Sequence, residues 1–203
     1  MIKEILPGIY NWSEYSEEKK LNFNGYLLIN SGESVIVDPP SLSVEDEVKL
    51  TRLIGDYSSS SLKGILLTNV HHERASNSLK SQFSVPVWVN ELDSALLELP
   101  ADNTFCGGDT LFGGVEAIQL ENQKSPGETA FYIKDRKIML LGDALIGTVP
   151  GQVNMLPPDK FKDPAEAKLG LKKLLNFEFE TLLLGDGASI LTEAKGAVAT
   201  FLS

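Results

Sequence analysis

The stretch from Leu66 to Asn77 reads L-L-T-N-V-H-H-E-R-A-S-N. An apolar run, Gly64-Ile65-Leu66-Leu67, breaks at Thr68 into a block dense in side chains that ligate metals or carry charge. Five further polar blocks stand out: Val37-Asp38-Pro39-Pro40, Gly108-Asp109-Thr110-Leu111, Gln123-Lys124-Ser125-Pro126-Gly127-Glu128, Leu141-Gly142-Asp143 and Leu184-Gly185-Asp186-Gly187. Short apolar runs of this length read as buried strands. A chain that ends such runs in polar blocks six times is held to a strand-rich scaffold that carries its chemistry on loops.

The intervening segments fill in that scaffold. Phe23 to Asn30 and Ser34 to Val37 flank Ser31-Gly32-Glu33, a hairpin signal. Asp38-Pro39-Pro40 ends the second strand, because proline cannot donate to a ladder. Ser43 is the expected cap of a helix with acids in its first turn and Val48, Leu50, Leu53 and Ile54 inside. Tyr57 to Ser61 reads as a short polar loop. A short helix is expected over Ala75 to Phe83, a strand over Val85 to Val89 and a helix over Leu92 to Leu97. Val115 to Leu120, Thr129 to Ile133 and Lys137 to Leu141 read as strands, with a turn at Lys134-Asp135-Arg136. Ala144 to Lys162, rich in Gly and Pro, is a long loop, the candidate lid or dimer contact. Asp163-Pro164-Ala165-Glu166 opens a helix in the order cap, proline, acid. Thr181 to Leu184 is one more strand, and Thr192 is the expected cap of a last helix. Strands, helix, strand, helix occur twice in succession, which suggests two sheets facing each other with helices outside.

Charge and cysteine content narrow the function. The chain of 203 residues carries 18 basic against 28 acidic side chains, a formal net charge of −10. No segment clusters Lys and Arg without nearby acids, so a phosphate backbone is repelled and nucleic-acid binding is not expected. A single cysteine, Cys106, excludes an internal disulfide and points to a reducing, cytoplasmic setting. Beside Gly107 and Gly108 it reads as a turn residue rather than a nucleophile. Glu4 and Pro7 interrupt the start, so no signal peptide is expected, and no apolar stretch reaches the ~20 residues that span a bilayer. The length suits one domain over 1–203.

Taken in order, the six blocks resemble the metallo-β-lactamase-fold hydrolases, the superfamily of β-lactamase-like and glyoxalase II-like enzymes. The resemblance covers nearly the whole chain and implies a four-layer αββα sandwich with two mixed sheets. Thr68 to Arg74 corresponds to the family's T-H-x-H-x-D-H, and Gly108 to Leu111 to its G-D-T-L. Gln123 to Glu128 corresponds to its G-H-[ST]-x-G-x, Leu141-Gly142-Asp143 to a strand-end G-D, and Gly185-Asp186-Gly187 to a final G-H-G. The metal-site positions that the resemblance implies are therefore Asn69, His71, Glu73, Arg74, Lys124, Asp143 and Asp186, with His72, Ser125 and Glu128 in the same cleft. In the family, histidines and carboxylates hold two metals around a nucleophilic water, since neutral imidazoles and carboxylates leave a coordination position open.

Here one mapped histidine remains and two positions are cations. Arg does not deprotonate, and Lys normally does not, so neither is an ordinary ligand. A unit cation 4 Å from a divalent ion costs about 8 kcal/mol at an effective dielectric near 20, against the roughly 10–16 kcal/mol of a strong zinc site. Three readings follow. In the first, Arg74 and Lys124 stand in for metals among Glu73, Asp143 and Asp186, no cofactor is expected, and the protein is a pseudoenzyme or binding protein. In the second, His71, Glu73, Asp143 and Asp186 hold one ion, such as Mn, Fe or Zn, in a hydrolase of esters, thioesters or lactones; His72 could turn in, although neighbours on an extended loop point apart. In the third, Lys124 beside Ser125, or His71 as base, acts without metal. Plainer roles are open for Asp143 and Asp186 as turn caps beside glycine, and for Trp12, Trp88 and Phe112 as core or rim aromatics, with Trp12 and Tyr15 lining a pocket mouth as the alternative. A small molecule or protein partner is left open, as is a homodimer.

Overall fold

The computed structural model describes residues 1–56 and 61–203. Its first sheet follows chain order: β1 (Lys3–Leu6), β2 (Ile9–Ser16), β3 (Leu21–Asn30), β4 (Glu33–Val37), β5 (Ser61–Leu66), β6 (Val87–Asn90) and β7 (Asn103–Phe105). β1 to β4 form an antiparallel meander, and β4 to β7 run parallel. Helices α1 (Val44–Asp56) and α2 (Ser76–Phe83) lie in the crossovers that parallel pairing demands. The second sheet holds β8 (Val115–Gln119), β9 (Thr129–Ile133), β10 (Ile138–Leu141) and β11 (Thr181–Leu184) in the order β11-β10-β9-β8. β10 and β11 are parallel across α3 (Pro164–Gly170), and α4 (Ala194–Leu202) follows β11.

Three apolar clusters stack these parts into four layers. Val37, Leu66, Phe131, Leu140 and Leu183 meet between the two sheets. Leu50 of α1 and Leu79 of α2 cover the outer face of the first sheet with Ile36 and Ile65. Leu171, Ala194, Val198 and Leu202 cover the second sheet over Met139, Leu141 and Leu182. Each fully buried Leu, Ile or Phe contributes about 1.5–3 kcal/mol of transfer free energy, and an αββα sandwich results.

Most sequence-level expectations hold locally. Ser31 and Gly32 both adopt positive φ (51° and 76°), the conformation of a two-residue hairpin whose twist matches its strands. Ser43 caps α1, its hydroxyl accepting from the Asp46 N–H (3.2 Å), and Asp163 caps α3 through Ala165 (2.9 Å). Other positions differ for stated reasons. The strand expected from Val85 starts at Val87, after Pro86. The helix expected over Leu92 to Leu97 is one 3-10 turn, Ser94–Leu96, whose residues are not buried and so gain little from a longer helix. The last helix is entered through Glu193 at φ +56°, not capped by Thr192. Trp12 is buried with its Nε1–H on the Pro40 carbonyl (3.2 Å), so it belongs to the outer core and not to a pocket rim. The loop read at Tyr57 to Ser61 falls on residues 57–60, outside those described, and Ser61 opens β5. Among the described residues no helix is long and apolar enough to cross a membrane.

Parallel pairing sets the position of the site. β4 and β5 finish side by side, as do β10 and β11, so Asp38, Thr68, Asp143 and Asp186 come off neighbouring strand ends. The sheets are tied together at that edge. The Thr129 N–H donates to the Thr68 carbonyl (2.8 Å), the Asn24 N–H to Gly185 (2.7 Å), and the Asn24 amide to Leu184 (2.8 Å).

Candidate functional site: a buried ion-pair cluster under a cleft

The block after β5 is not extended. Val70–His72 is a 3-10 turn closed by the Asn69 carboxamide, which accepts the His71 N–H at 2.8 Å. A tight turn breaks the alternation of an extended loop, and it sends His72 inward (1% exposed) while His71 stays exposed at the cleft. Arg74 leaves the turn at φ +36°, a conformation a non-glycine residue adopts at some cost. Asp93 holds the turn in place. Its carboxylate accepts the Val70 N–H (2.8 Å), the Ser125 hydroxyl and the Gly127 N–H (2.8 Å), joining the 69–74 and 124–128 loops.

His72 is the hub. Its Nδ1 lies 2.7 Å from Asp38 Oδ2, and Thr68 steadies that carboxylate with its N–H on Oδ1 (2.8 Å) and its hydroxyl on Oδ2 (2.6 Å). Its Nε2 lies 3.2 Å from Arg74 Nη2, with Asp143 Oδ1 at 3.7 Å and Asp186 Oδ1 at 4.0 Å. Potential ligand atoms of His72, Asp143 and Asp186 all lie within 4.8 Å of one another. Each aspartate also has a cation. Lys124 Nζ is 2.7 Å from Asp143 Oδ2, and Arg74 Nη2 is 2.5 Å from Asp186 Oδ1. The guanidinium stacks over the Phe23 ring at 4.5 Å and donates to the Asn24 carbonyl (3.3 Å). Two glycines make room: a Cβ on Gly185 would lie 2.5 Å from His72 Cε1, and one on Gly142 would strike Thr68 Oγ1 and Asn69.

Charge in the cluster balances without an external ion. Burial works against a charged His72, and so does Arg74, but the Asp38 charge and the Asp143 and Asp38 carboxylates as acceptors for the ring outweigh both and push the imidazole up to about 10. His72, Arg74 and Lys124 thus face Asp38, Asp143 and Asp186, three against three. Burial raises Asp143, yet His72 and Lys124 hold it well below the usual carboxylate range. Asp186 is raised by burial despite His72 and Arg74. Glu128 is fully buried behind Asp143, and burial, then Asp143, pushes it well above its ordinary value, which favours its neutral form. One oxygen accepts from the Ala144 N–H (3.2 Å); the other has no hydrogen-bond partner among the described residues. His71 is lowered by burial and by Lys124, so it is neutral at pH 7.

Not all positions named from the sequence come together. Asn69, Arg74, Lys124, Asp143 and Asp186 surround His72, as does Glu128 one layer deeper. The set His71, Glu73, Asp143 and Asp186 does not assemble. Glu73 turns away and accepts from the Asn77 amide (2.7 Å) and the N–H groups of Glu98 (2.9 Å) and Leu99 (3.2 Å). Ser125 is committed to Asp93, which leaves no Lys124–Ser125 nucleophile pair. Three contributors escaped the sequence reading. Asp38 was visible as a strand-end acid before two prolines, and Thr68 as the residue that ends β5; Asp93 carries no signal at all.

A cavity of about 680 Å3 opens over the cluster. Its walls include Leu21, Phe23, Ile146, Met155 and Leu156, and Lys19 and Lys160 stand among its lining residues. The long loop after Asp143, pinned by the Ile146–Asn154 bridge (2.7 and 2.9 Å), supplies one wall. A second cavity of about 720 Å3 lies on the Glu73 side and shares His71, Arg74 and Lys124.

A family model described as metallo-β-lactamase superfamily matches residues 2–201. The chain belongs to that superfamily. Its fold is that of solved metallo-β-lactamases. DIM-1 is 20% identical with a TM-score of 0.76, covering 99% of this chain and 97% of that one. The enzyme from Pontibacter korlensis is 15% identical with a TM-score of 0.77, covering 100% and 96%. TMB-1 is 18% identical with a TM-score of 0.75, covering 100% and 98%. Likeness at these identities speaks for the fold alone. No curated protein matches the sequence.

Proposed function

We propose that this superfamily member does not run dimetal hydrolysis, and that its cleft serves as a metal-free binding site. The observation that carries the reading is the pairing of Lys124 with Asp143 and of Arg74 with Asp186. A dimetal centre needs neutral or anionic donors with an open position for water. The donor set does not fit one: of the superfamily's histidine positions only His71 keeps its imidazole, the others hold Asn69, Arg74, Lys124 and Asp186, and the inward imidazole of His72 already spends its Nδ1 on Asp38. A divalent ion placed among His72, Asp143 and Asp186 would meet two cations in contact with its own ligands, at about 8 kcal/mol each for a separation near 4 Å. The internal cations also supply the compensation that buried carboxylates need. The lone Cys106, unpaired and exposed, agrees with a cytoplasmic home, and the acidic surface argues against a nucleic-acid partner.

One observation favours a second reading, a single-ion hydrolase: the mutual proximity of His72, Asp143 and Asp186. Elemental mass spectrometry separates the two. Protein purified without chelator or affinity metal is expected to hold well under 0.1 equivalent of any transition metal, and to stay so after incubation with Zn²⁺ or Mn²⁺ and desalting. A stoichiometric ion, lost in a His72→Gln variant, reverses the conclusion in favour of the hydrolase.

A further inference from the structure

The cavity over the cluster has a charge opposite to that of the chain. Its lining holds Lys19, Arg74, Lys124 and Lys160 against Asp143 and Asp186, while His72 is answered from behind by Asp38. Four cations against two carboxylates leave an excess of two positive charges in a chain whose net charge is −10. Lys19 and Lys160 do pair with their neighbours Glu18 (2.8 Å) and Asp159 (3.3 Å). Those carboxylates lie outside the lining and are mostly exposed, at 80% and 70%, and such surface pairs are worth about 0–1 kcal/mol, so they do not bind the lysines tightly. Low-dielectric walls focus this excess on the cavity.

The walls are the second observation. Leu21, Phe23, Ile146, Met155, Leu156 and Pro157 present aliphatic and aromatic surface, and Met155 and Leu156 are only partly buried. Methionine fits irregular apolar partners, being unbranched and soft. At about 680 Å3 the space is that of a small-molecule pocket rather than a macromolecular groove.

We propose that this cavity binds an amphipathic anion, an anionic head on an unbranched apolar chain, with the head at Lys19, Lys124 and Lys160 and the chain along Phe23, Ile146, Met155 and Leu156. The proposal rests on the metal-free reading, since a bound ion would itself supply the positive charge. A neutral apolar ligand would leave the excess charge unanswered, and an apolar cation would add to it. Small hydrophilic anions would gain nothing from the walls.

Calorimetric titration with decanoate below its micelle concentration, beside decanol, decyltrimethylammonium and acetate, tests this, with metal content measured on the same sample. Decanoate is expected to bind at least tenfold more tightly than decanol, with no measurable binding of acetate or the quaternary amine. The Lys19→Glu, Lys160→Glu double variant, altered only at exposed positions, is expected to lose affinity for decanoate at least fivefold, and Leu156→Asp likewise. Absence of decanoate binding to metal-free protein overturns the anion proposal and leaves the metal-free reading standing. Decanol binding as well as decanoate overturns it too. Decanoate binding that requires loaded zinc overturns both.

Discussion

Arg74 is the residue on which the character of the site turns most sharply. It bridges two constraints: a backbone held at positive φ and a guanidinium fixed by Asp186, Asn24 and the Phe23 ring. Both partners of the ion pair are nearly shut off from water, with side chains 12% and 9% exposed. Breaking a pair of that kind costs about 3–5 kcal/mol, because a buried charge is left without an answer. Arg74→Ala is therefore expected to lose about 3 kcal/mol in urea denaturation at pH 8. The loss should shrink at pH 5, since burial already raises Asp186 and a proton can replace the missing cation. Replacing both partners, as Arg74→Met with Asp186→Leu, should recover most of the loss. Recovery would assign Arg74 to charge compensation. If the double variant is as unstable as the single one, the stacking on Phe23 matters more than the pair. The sequence showed that Arg74 and Lys124 occupy positions where the family has ligands, and the structure adds what they touch. It did not show that His72, and not His71, faces inward. That choice follows from a turn closed by Asn69, a contact two residues long that no periodicity reveals.

At the scale of elements, the site depends on how closely the strand ends of the two sheets approach. β5 and β11 deliver Thr68 and Gly185 to the same spot, with the His72 ring wedged against the Gly185 backbone. Gly185 is not at a positive φ, so its role is space and not conformation. A methyl group there would lie 2.5 Å from His72 Cε1, in a region enclosed by Asp38, Thr68 and Gly142. The ring has nowhere to go, since its Nδ1 is pinned by Asp38. Overpacking of a filled interior typically costs about 1–3 kcal/mol, so Gly185→Ala is expected to lower the melting temperature by several degrees. In contrast, Gly196→Ala on α4, where a Cβ meets nothing within 4 Å, should raise or preserve it. Equal effects at both sites would show that the interlocking of β11 with the turn is loose. The strands themselves were the most legible part of the sequence, because an apolar run bounded by Gly, Pro or Asp fixes both length and end. Leu92 to Leu97 was the least legible. Leu92 and Leu96 remain exposed and only Leu97 packs in part against the outer core, so burial never rewarded a longer helix there, and sequence pattern alone cannot reveal that a face has so little to cover.

For the whole molecule, the buried cluster and the net charge act on stability in the same direction as pH rises. His72 binds its proton up to about 10 in the folded chain and only to about 6.5 in the unfolded one. Its contribution is complete below pH 6.5 and is lost on the way to 10, with a slope of about −1.4 kcal/mol per pH unit between. Glu128 and Asp186, both raised by burial, also lose their contributions with rising pH, starting from lower values. Asp143 has the opposite sign: held low by His72 and Lys124, it contributes above the ordinary carboxylate range and loses that contribution only in strong acid. The excess of 28 acids over 18 bases adds self-repulsion as the remaining protons leave. Stability should therefore peak between about pH 4 and 6.5 and fall toward pH 9, a profile readable as denaturant midpoints with unchanged m-values. Salt separates the two causes. About 1 M NaCl shortens the screening length to about 3 Å and suppresses repulsion between surface charges, but it reaches buried pairs far less. A decline above pH 6.5 that persists in high salt and is flattened in His72→Gln belongs to the cluster. A decline that salt abolishes would belong to the acidic surface, and His72 would then be no more than an ordinary buried imidazole.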